Sequence, residues 1–464
     1  MAETKRLADN YLATEPIGKL LLKFSVPCVL SMLVSALYNI VDQIFIGQSV
    51  GYLGNAATNV VYPFTVLALA LALLIGDGSA ALLSLSLGSG DKETGSRCVG
   101  NGIVLTGLTG VVLMVLGFVC SDPILRMFGV TETSYQYAWE YLRIILVGIP
   151  FYVFTSGMNS AIRADGAPGY AMFATVLGAV LNLILDPVAI FILHWGVQGA
   201  AVATVIGQVA SCVMTAWYFR KPRMVAFHPS SFRLQGRTVR KISQLGVSSF
   251  ITQIAIVVVI SVANNMIVLT GAQSAYGADI PLSAVGIVMK VFGIVIAFSV
   301  GIAVGGQPIA GYNCGAGNRK RVFDVYRHII AANLVVGAIS MLLFECCPQA
   351  IVSLFGNESA LYNEYANLCF RIYLGGILLC CIQKASSIFL QSIGKPVKAT
   401  VLSLSRDVVF LVPGIVILAL QFGVTGMLWA APVADVLALL LTVVLIASEY
   451  RTAFRQKKEE PAYA

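Results

Sequence analysis

Charged side chains are scarce in this sequence. Only 11% of its 464 residues are Asp, Glu, Lys or Arg, whereas 58% are hydrophobic. Ordinary soluble domains carry roughly 25% charged residues. The low charge content therefore excludes an ordinary soluble protein and predicts a chain that lies in a lipid bilayer.

Metal-binding patterns are also missing. The three histidines are scattered at His194, His228 and His328, and the ten cysteines lie mainly inside apolar segments without paired spacings. A metal site needs several convergent ligands, and buried free cysteine usually behaves as a small apolar packing residue. We therefore predict no cofactor and no resident metal.

Long apolar runs dominate the sequence. A membrane helix needs about 20 mostly apolar residues, and twelve segments meet this requirement. No short apolar run with a small-residue cleavage site precedes the first of them, so we expect the first span to be retained. The predicted spans of this all-α membrane protein are 20–46, 57–87, 97–121, 134–162, 169–193, 197–219, 243–270, 282–312, 324–347, 361–391, 398–420 and 425–448.

The formal net charge of +8 is distributed unevenly between the loops. Lys and Arg concentrate in the loops that follow even-numbered spans, above all in 220–241, while the opposite loops keep only Arg126. Since short basic loops favour the cytoplasm, we predict a multi-pass protein of the bacterial inner membrane with both termini in the cytoplasm. This asymmetry explains the positive charge without nucleic acid as a partner.

The loop 220–241 divides the chain into two similar halves. We predict an N-terminal arm (1–19), a six-helix lobe (20–219), a basic linker (220–241), a second six-helix lobe (242–449) and a tail (450–464). Matching residues recur at a spacing of 227 or 228 residues: Arg143 and Arg371, Gly148 and Gly376, Gly166 and Gly394, Gly196 and Gly423. Because six is even, the lobes form a parallel pseudo-symmetric repeat about an axis along the membrane normal. Such lobes can enclose a cavity and rock to open it on either side.

Two acids stand out within the spans of the first lobe. Asp42 lies in span 1 and Asp186 in span 5, with Asn182 one helical turn before Asp186. An ionisable group at membrane depth is costly, so it usually marks a functional site. If both acids share a pocket, one could take up and release a proton. The alternatives are a helix cap for Asp42 and a packing hydrogen bond for Asp186.

Other polar residues are candidates for related roles. Asn159, Tyr141 and Thr204 could join the acids in binding a proton or small cation. Asp77 is a secondary candidate, since Gly76 and Gly78 suggest a loosened helix around it. In the second lobe, buried Lys290, Lys384 and Arg406 are expected to pair with Asp407, Asp435 or amides. Helix bends are predicted at Pro27 and Pro187.

Aromatic, methionine and glutamine side chains could line a substrate cavity, because flexible methionines and aromatic faces suit varied apolar cations. Packing inside the lobes is the alternative for each of them. The candidates are Met32, Tyr38, Phe64, Phe154, Met158, Gln253, Met266, Met289 and Gln307.

Several ordered motifs resemble the multidrug and toxic compound extrusion (MATE) transporters over nearly the whole chain. They are Pro27, Val41 to Gly47, Gly76 to Gly90, Asn159 to Gly166 and Asn182 to Pro187. The resemblance implies an antiporter that exports cationic or amphipathic compounds in exchange for protons or sodium ions. It also implies that Asp42 and Asp186 match the coupling acids, that Tyr141, Asn159, Asn182 and Thr204 match their polar neighbours, and that helix 1 bends at Pro27.

The second lobe departs from the NorM-type pattern, which has acids in spans 7 and 10. This chain has Asn264, Asn265, Gln383 and Lys384 there, so it looks closer to the DinF-like and MepA-like branches. We expect a monomer with no metal beyond a transported Na+. A flippase for lipid-linked or polyprenyl intermediates is the alternative function. A membrane protease or acyltransferase would need a paired-acid or His-rich motif that the sequence lacks.

Overall fold

The structure is a computed structural model that describes residues 11–50, 52–128, 130, 132–277, 279–353 and 360–459. These residues form long helices joined by short connections, and no strand occurs among them. The long helices of the first half are α1 (Ile17–Val50), α2 (Tyr52–Gly88), α3 (Lys92–Val119), α4 (Tyr135–Ala164), α5 (Pro168–Pro187) and α6 (Gly196–Tyr218). Those of the second half are α7 (Gly236–Gly271), α8 (Asp279–Gly315), α9 (Arg319–Cys346), α10 (Ala360–Leu368 and Ile377–Ser392), α11 (Pro396–Leu404 and Val412–Gly426) and α12 (Ala430–Glu459).

The predicted all-α fold with twelve membrane crossings is confirmed. In the described part of the chain, ten helical segments are long and apolar enough to cross a membrane, and the bent pair that forms α10 makes eleven. The last of the ten, Pro396–Ala453, has 58 residues, enough for two crossings of about 20 residues each. Gly423 divides it, because its φ of 69° lies outside the helical region.

The chain forms two compact units. Among the described residues, the first contains 11–14 and 26–253, and the second contains 15–25 and 254–459. The loop 220–241 falls within the first unit, and its role as a linker between the two lobes stays a prediction. Two helices contribute to both units, since the borders fall inside α1 and α7 rather than in loops.

Each unit has its own apolar core. In the first unit, Ile46, Phe64, Leu142 and Ile190 belong to one buried cluster. In the second, a larger cluster draws on α7, α8, α10, α11 and α12. The helices thus bury one part of an apolar surface against each other and leave large exposed side chains for the lipid, as expected of membrane helices.

In the part of the chain that the structure describes, three membrane helices contain a π-helical turn, a rare wider turn that is frequent at functional sites. The first, Val188–Ile192, begins directly after Pro187 at the end of α5. The second, Cys369–Tyr373, divides α10, whose two parts meet at 48°. The third, Ser405–Leu411, interrupts α11. The regular helix therefore ends at Pro187, where we predicted a break, whereas α1 continues through Pro27.

The backbones of α2, α4 and α7 approach closely around Asp77. A Cβ added at Gly76 would lie 2.4 Å from the backbone oxygen of Gly157, and one added at Gly246 would lie 1.8 Å from that of Leu74. No side chain fits at these positions without a backbone shift. The glycines beside Asp77 thus serve close packing within the continuous helix α2, which corrects the expectation of a loosened helix.

Candidate functional site

The carboxyl groups of Asp42 and Asp186 lie close enough to interact directly within the first unit. Asp42 comes from α1 and is half-buried, whereas Asp186, at the end of α5, is 1% exposed. Two carboxylates in contact repel each other, so such a pair normally holds a shared proton or a cation. The two acids singled out in the sequence therefore form one carboxylate pair that would bind a proton or a cation jointly.

Asn182 connects this acid pair to α6. Its side-chain Nδ2 donates to Asp186 Oδ1 at 3.1 Å and to Thr204 Oγ1 at 3.2 Å. Asn182 can reach Asp186 because the two residues lie four positions apart on one face of α5. The amide is 3% exposed, so its donors are committed to these two oxygens.

Two tyrosines complete the cluster. Tyr141 of α4 and Tyr38 of α1 both lie close enough to Asp42 and Asp186 to interact with them electrostatically. Tyr141 was predicted as a neighbour of the acids, whereas Tyr38 was predicted only as a cavity residue. The structure therefore brings together five of the six predicted coupling residues and adds Tyr38.

Three oxygen atoms in the cluster are buried without a hydrogen-bond donor: Asp42 Oδ1, Asp186 Oδ2 and Asn182 Oδ1. Carboxylate and amide oxygens are the ligands that hard cations prefer, and a carboxylate oxygen is also a proton acceptor. The donor set thus fits a proton or a sodium ion as a transported ion. Groups of three or more His, Cys, Asp or Glu that could hold a resident metal are absent from the described residues.

Asn159 lies in a separate polar cluster. Its Nδ2 donates to Thr175 Oγ1 at 3.0 Å, and its Oδ1 accepts from Thr215 Oγ1 at 3.4 Å. These bonds link α4 to α5 and α6. In the described residues no hydrogen bond joins Asn159 to Asp42 or Asp186, so the predicted contact with the acids is not present in this structure.

Asp77 joins three helices of the first unit. Its two carboxylate oxygens accept hydrogen bonds from Ser160 of α4 and Ser249 of α7, each at 2.7 Å. Arg163 in turn donates to the hydroxyl of Ser160 at 2.7 Å. Both oxygens of Asp77 therefore have donors from neighbouring helices, in contrast to the open oxygens of the acid pair.

The second unit contains a buried network of alternating charges. Lys384 contacts Asp407 at 2.6 Å, and Arg406 contacts Asp407 at 2.6 Å and Asp435 at 2.8 Å. The network has two cations and two anions, which confirms the predicted pairing of Lys384 and Arg406. Lys290 is exposed, so the expectation that it is buried was wrong.

The proposed cavity residues divide into two groups. Met32, Tyr38, Phe154, Gln253, Met266 and Met289 are half-buried and have some accessible surface. Phe64, Met158 and Gln307 are at most 5% exposed. Side chains this deeply packed in their own unit offer no open surface to a substrate in this structure.

Sequence reasoning missed Asp165, the residue that follows α4. Its buried carboxylate accepts the hydroxyl of Tyr218 at 2.6 Å and the backbone amides of Arg223, Met224 and Val225 at 2.7 to 3.1 Å. Burial raises the pKa of this carboxyl, and the four hydrogen bonds oppose the rise. Asp165 thus ties the loop after α6 to the first unit. The only signal in the sequence was an acid at a helix end.

These features define a class of protein. Twelve membrane helices in two lobes and an acid pair with unsatisfied oxygens inside one lobe are typical of a secondary transporter. A family model described as MatE matches residues 27–188 and 251–417. The chain therefore belongs to the MATE family of transporters, as its motifs had indicated.

Relatives and solved structures agree with this membership. Multidrug export protein MepA of Staphylococcus aureus (strain MRSA252) is 25% identical over 441 residues, which cover 94% of this chain and 95% of that protein. MepA of Staphylococcus saprophyticus is 24% identical over 445 residues with the same coverage.

The fold matches solved structures as well. A MATE protein in complex with MaL6 gives a TM-score of 0.90 at 22% identity, covering 97% of this chain and 99% of its own. A transporter of the MOP superfamily from Pyrococcus furiosus gives 0.89 at 21% identity, covering 96% and 98%.

Proposed function

We propose that this protein is an antiporter that exports cationic or amphipathic compounds in exchange for protons or sodium ions, with Asp42 and Asp186 as the coupling acids. The observation that carries the proposal is the close approach of two carboxyl groups, those of the half-buried Asp42 and the fully buried Asp186. With a proton between them the contact is favourable, and without it their repulsion drives them apart. Ion binding therefore acts on the relative position of α1 and α5.

The acid pair has four polar neighbours, which act on its affinity for the ion: Asn182, Thr204, Tyr141 and Tyr38. Asn182 holds one oxygen of Asp186 in place, so the other oxygen is left for the ion. A sodium ion would use the open carboxylate and amide oxygens, whereas a proton needs only the carboxylate pair. The first unit would have two states, one with the ion bound between the acids and one without it. The ion would bind to the first state and the substrate to the second.

The family and its relatives support export of varied small molecules. The curated relatives are multidrug export proteins, and half-buried aromatic and methionine side chains suit such substrates. The excess of Lys and Arg in the loops after even-numbered helices supports a cytoplasmic position for these loops. In the proposed orientation, both termini lie in the cytoplasm and transport runs outward.

The flippase alternative lacks support. It rested on a strongly cationic cavity that Lys290, Lys384 and Arg406 would provide. Lys384 and Arg406 are paired with the carboxylates of Asp407 and Asp435, so their charge is largely neutralised within the second unit. The MepA relatives reported above are also multidrug exporters by name.

Transport by purified protein in liposomes tests the proposal. Efflux of a fluorescent organic cation is measured under an imposed proton gradient and, separately, under an imposed sodium gradient. We expect one gradient to accelerate efflux by the wild type and at least a tenfold loss of this acceleration in both Asp42→Asn and Asp186→Asn. The gradient that drives efflux identifies the coupling ion.

The control is Asp122→Asn, which changes an exposed acid in the short helix Ser121–Met127. It should transport like the wild type. Each variant is first checked for monodisperse behaviour in detergent. Full gradient-driven efflux by both well-folded acid variants would refute the assignment of the coupling acids.

A further inference from the structure

A groove with a volume of about 500 Å³ lies on the first unit between α3, α4 and α6. Most of its wall is apolar, with Val147, Val202 and Ile206 among its residues. Val147 is 49% exposed and Ile206 is 45% exposed. Because these helices cross the membrane, the groove opens toward lipid acyl chains.

One end of this groove is polar. Trp139, Glu140, Arg143 and Gln198 line it, and the Arg143 guanidinium lies 4.3 Å from the centre of the Trp139 ring. Glu140 accepts a hydrogen bond from Gln136 at 2.5 Å. Arg143 forms no ion pair with any residue that the structure describes. A guanidinium within a membrane helix requires an anion or polar surroundings.

The polar end lies near the edge of the hydrocarbon core. The exposed side chains of Trp195, the residue directly before α6, and Trp217, near its end, lie 22 positions apart, which corresponds to roughly 33 Å of helix. This length matches the hydrocarbon core of about 30 Å, and tryptophan is enriched at both of its edges. Gln198 follows Trp195 by less than one turn. The charged groups therefore lie at the depth of lipid phosphates and glycerol groups.

We propose that this groove binds a phospholipid with an ethanolamine headgroup. The phosphate lies on Arg143, the ammonium lies on Glu140, and one acyl chain follows Val147, Val202 and Ile206. A guanidinium suits a phosphate because its fork of donors matches two phosphate oxygens. A primary ammonium donates hydrogen bonds to a carboxylate, which a quaternary choline cannot do.

The second unit provides a comparison within the same chain. Arg371, the repeat counterpart of Arg143, is also exposed. The residues that correspond to Trp139 and Glu140 at the spacing of 228 are Asn367 and Leu368. The second unit therefore has the cation without the neighbouring acid or tryptophan. At these repeat positions, the set for a zwitterionic headgroup is complete in the first unit and incomplete in the second.

Native mass spectrometry of the full-length protein tests this site. Delipidated protein is titrated with phosphatidylethanolamine, phosphatidylcholine and phosphatidylglycerol of identical acyl chains. We expect the wild type to retain phosphatidylethanolamine at least tenfold better than phosphatidylcholine. Arg143→Gln should lose retention of all three lipids, whereas Glu140→Gln should lose only the preference for ethanolamine. Arg371→Gln should behave like the wild type.

Equal retention of the ethanolamine and choline lipids by the wild type would overturn the proposal. So would unchanged retention in Arg143→Gln, or an equal loss in Arg371→Gln, which would indicate nonspecific attraction to any exposed arginine. If Arg143→Gln does not yield folded protein, Glu140→Gln still tests the proposal. In that variant we expect the preference for the ethanolamine lipid to be lost while the total amount of bound lipid stays constant. Unchanged selectivity in that variant counts against the site.

Discussion

Replacing Asp435 by asparagine should destabilise the second unit strongly. Asp435 is 2% exposed, and its Oδ1 accepts a hydrogen bond from Nε of Arg406, a residue that is 6% exposed. The substitution keeps the size of the side chain, so no cavity forms. It leaves two buried cations with one carboxylate, and removing one partner of a buried ion pair costs about 3–5 kcal/mol. We expect a loss of stability of this size.

The companion substitution separates the charge effect from packing. Arg406→Gln combined with Asp435→Asn removes one cation and one anion, so the network becomes neutral again through Lys384 and Asp407. A buried ion pair replaced as a whole is often close to neutral in stability. The double variant should therefore be more stable than Asp435→Asn alone, with a coupling energy of about 2 kcal/mol or more between the two positions.

Thermal unfolding in detergent, followed by size-exclusion chromatography after heating, measures these differences. Asp122→Asn serves as the control, because Asp122 is exposed and its contacts with Arg126 and the Tyr135 hydroxyl lie at the surface. The reasoning about buried charge fails if Asp435→Asn unfolds at the temperature of this control. It also fails if the double variant is less stable than both single variants.

Three shorter predictions concern other positions. Gly246→Val should abolish folding, because the new side chain would collide with a backbone oxygen of α2. Gly286→Ala should be tolerated, since nothing lies within 4 Å of the added Cβ. The yield of monodisperse protein measures the difference between the two variants. Asp165→Ala should raise hydrogen exchange at 223–225 at least tenfold by leaving three amides without their acceptor, and unchanged protection would contradict this account. Asn182→Ala should lower gradient-driven efflux roughly tenfold, as expected from a lost hydrogen bond of about 1.5 kcal/mol to a charged group, and wild-type efflux rates would argue against its role.

The positions of the helices and of the acid pair could be predicted from the sequence. Apolar length determines where a helix crosses the membrane, so each of the twelve predicted spans overlaps a helix of the structure along most of its length. Asp42 and Asp186 stood out because ionisable groups are rare at this depth. Asn182 followed from its position one turn before Asp186. Each of these inferences uses only local sequence and the energy of polar groups in lipid.

Helix rotation was harder to predict. Phe64 and Met158 pack in the interior, while Lys290 is exposed. In a soluble protein, the polar face of a helix would indicate which side is buried. In a membrane protein, the lipid side and the packed side are both apolar, so this signal is weak. Asp165 escaped prediction for another reason, since its amide donors lie about 60 positions later in a loop.

The π-helical turn Ser405–Leu411 fixes the phase of the helix on both sides of it. This turn contains one residue more than the equivalent α-helical path, so the helix on one side is rotated relative to the other by about 100° compared with an uninterrupted α-helix. Removal of a single residue from 408–411 would convert the π-helical turn into a regular α-helix. The following helix would then rotate, and Ile415 would turn away from the core in which it now packs. In related chains, a gap in an alignment at this segment would therefore signal a different angular setting of α11, even where every neighbouring residue is the same.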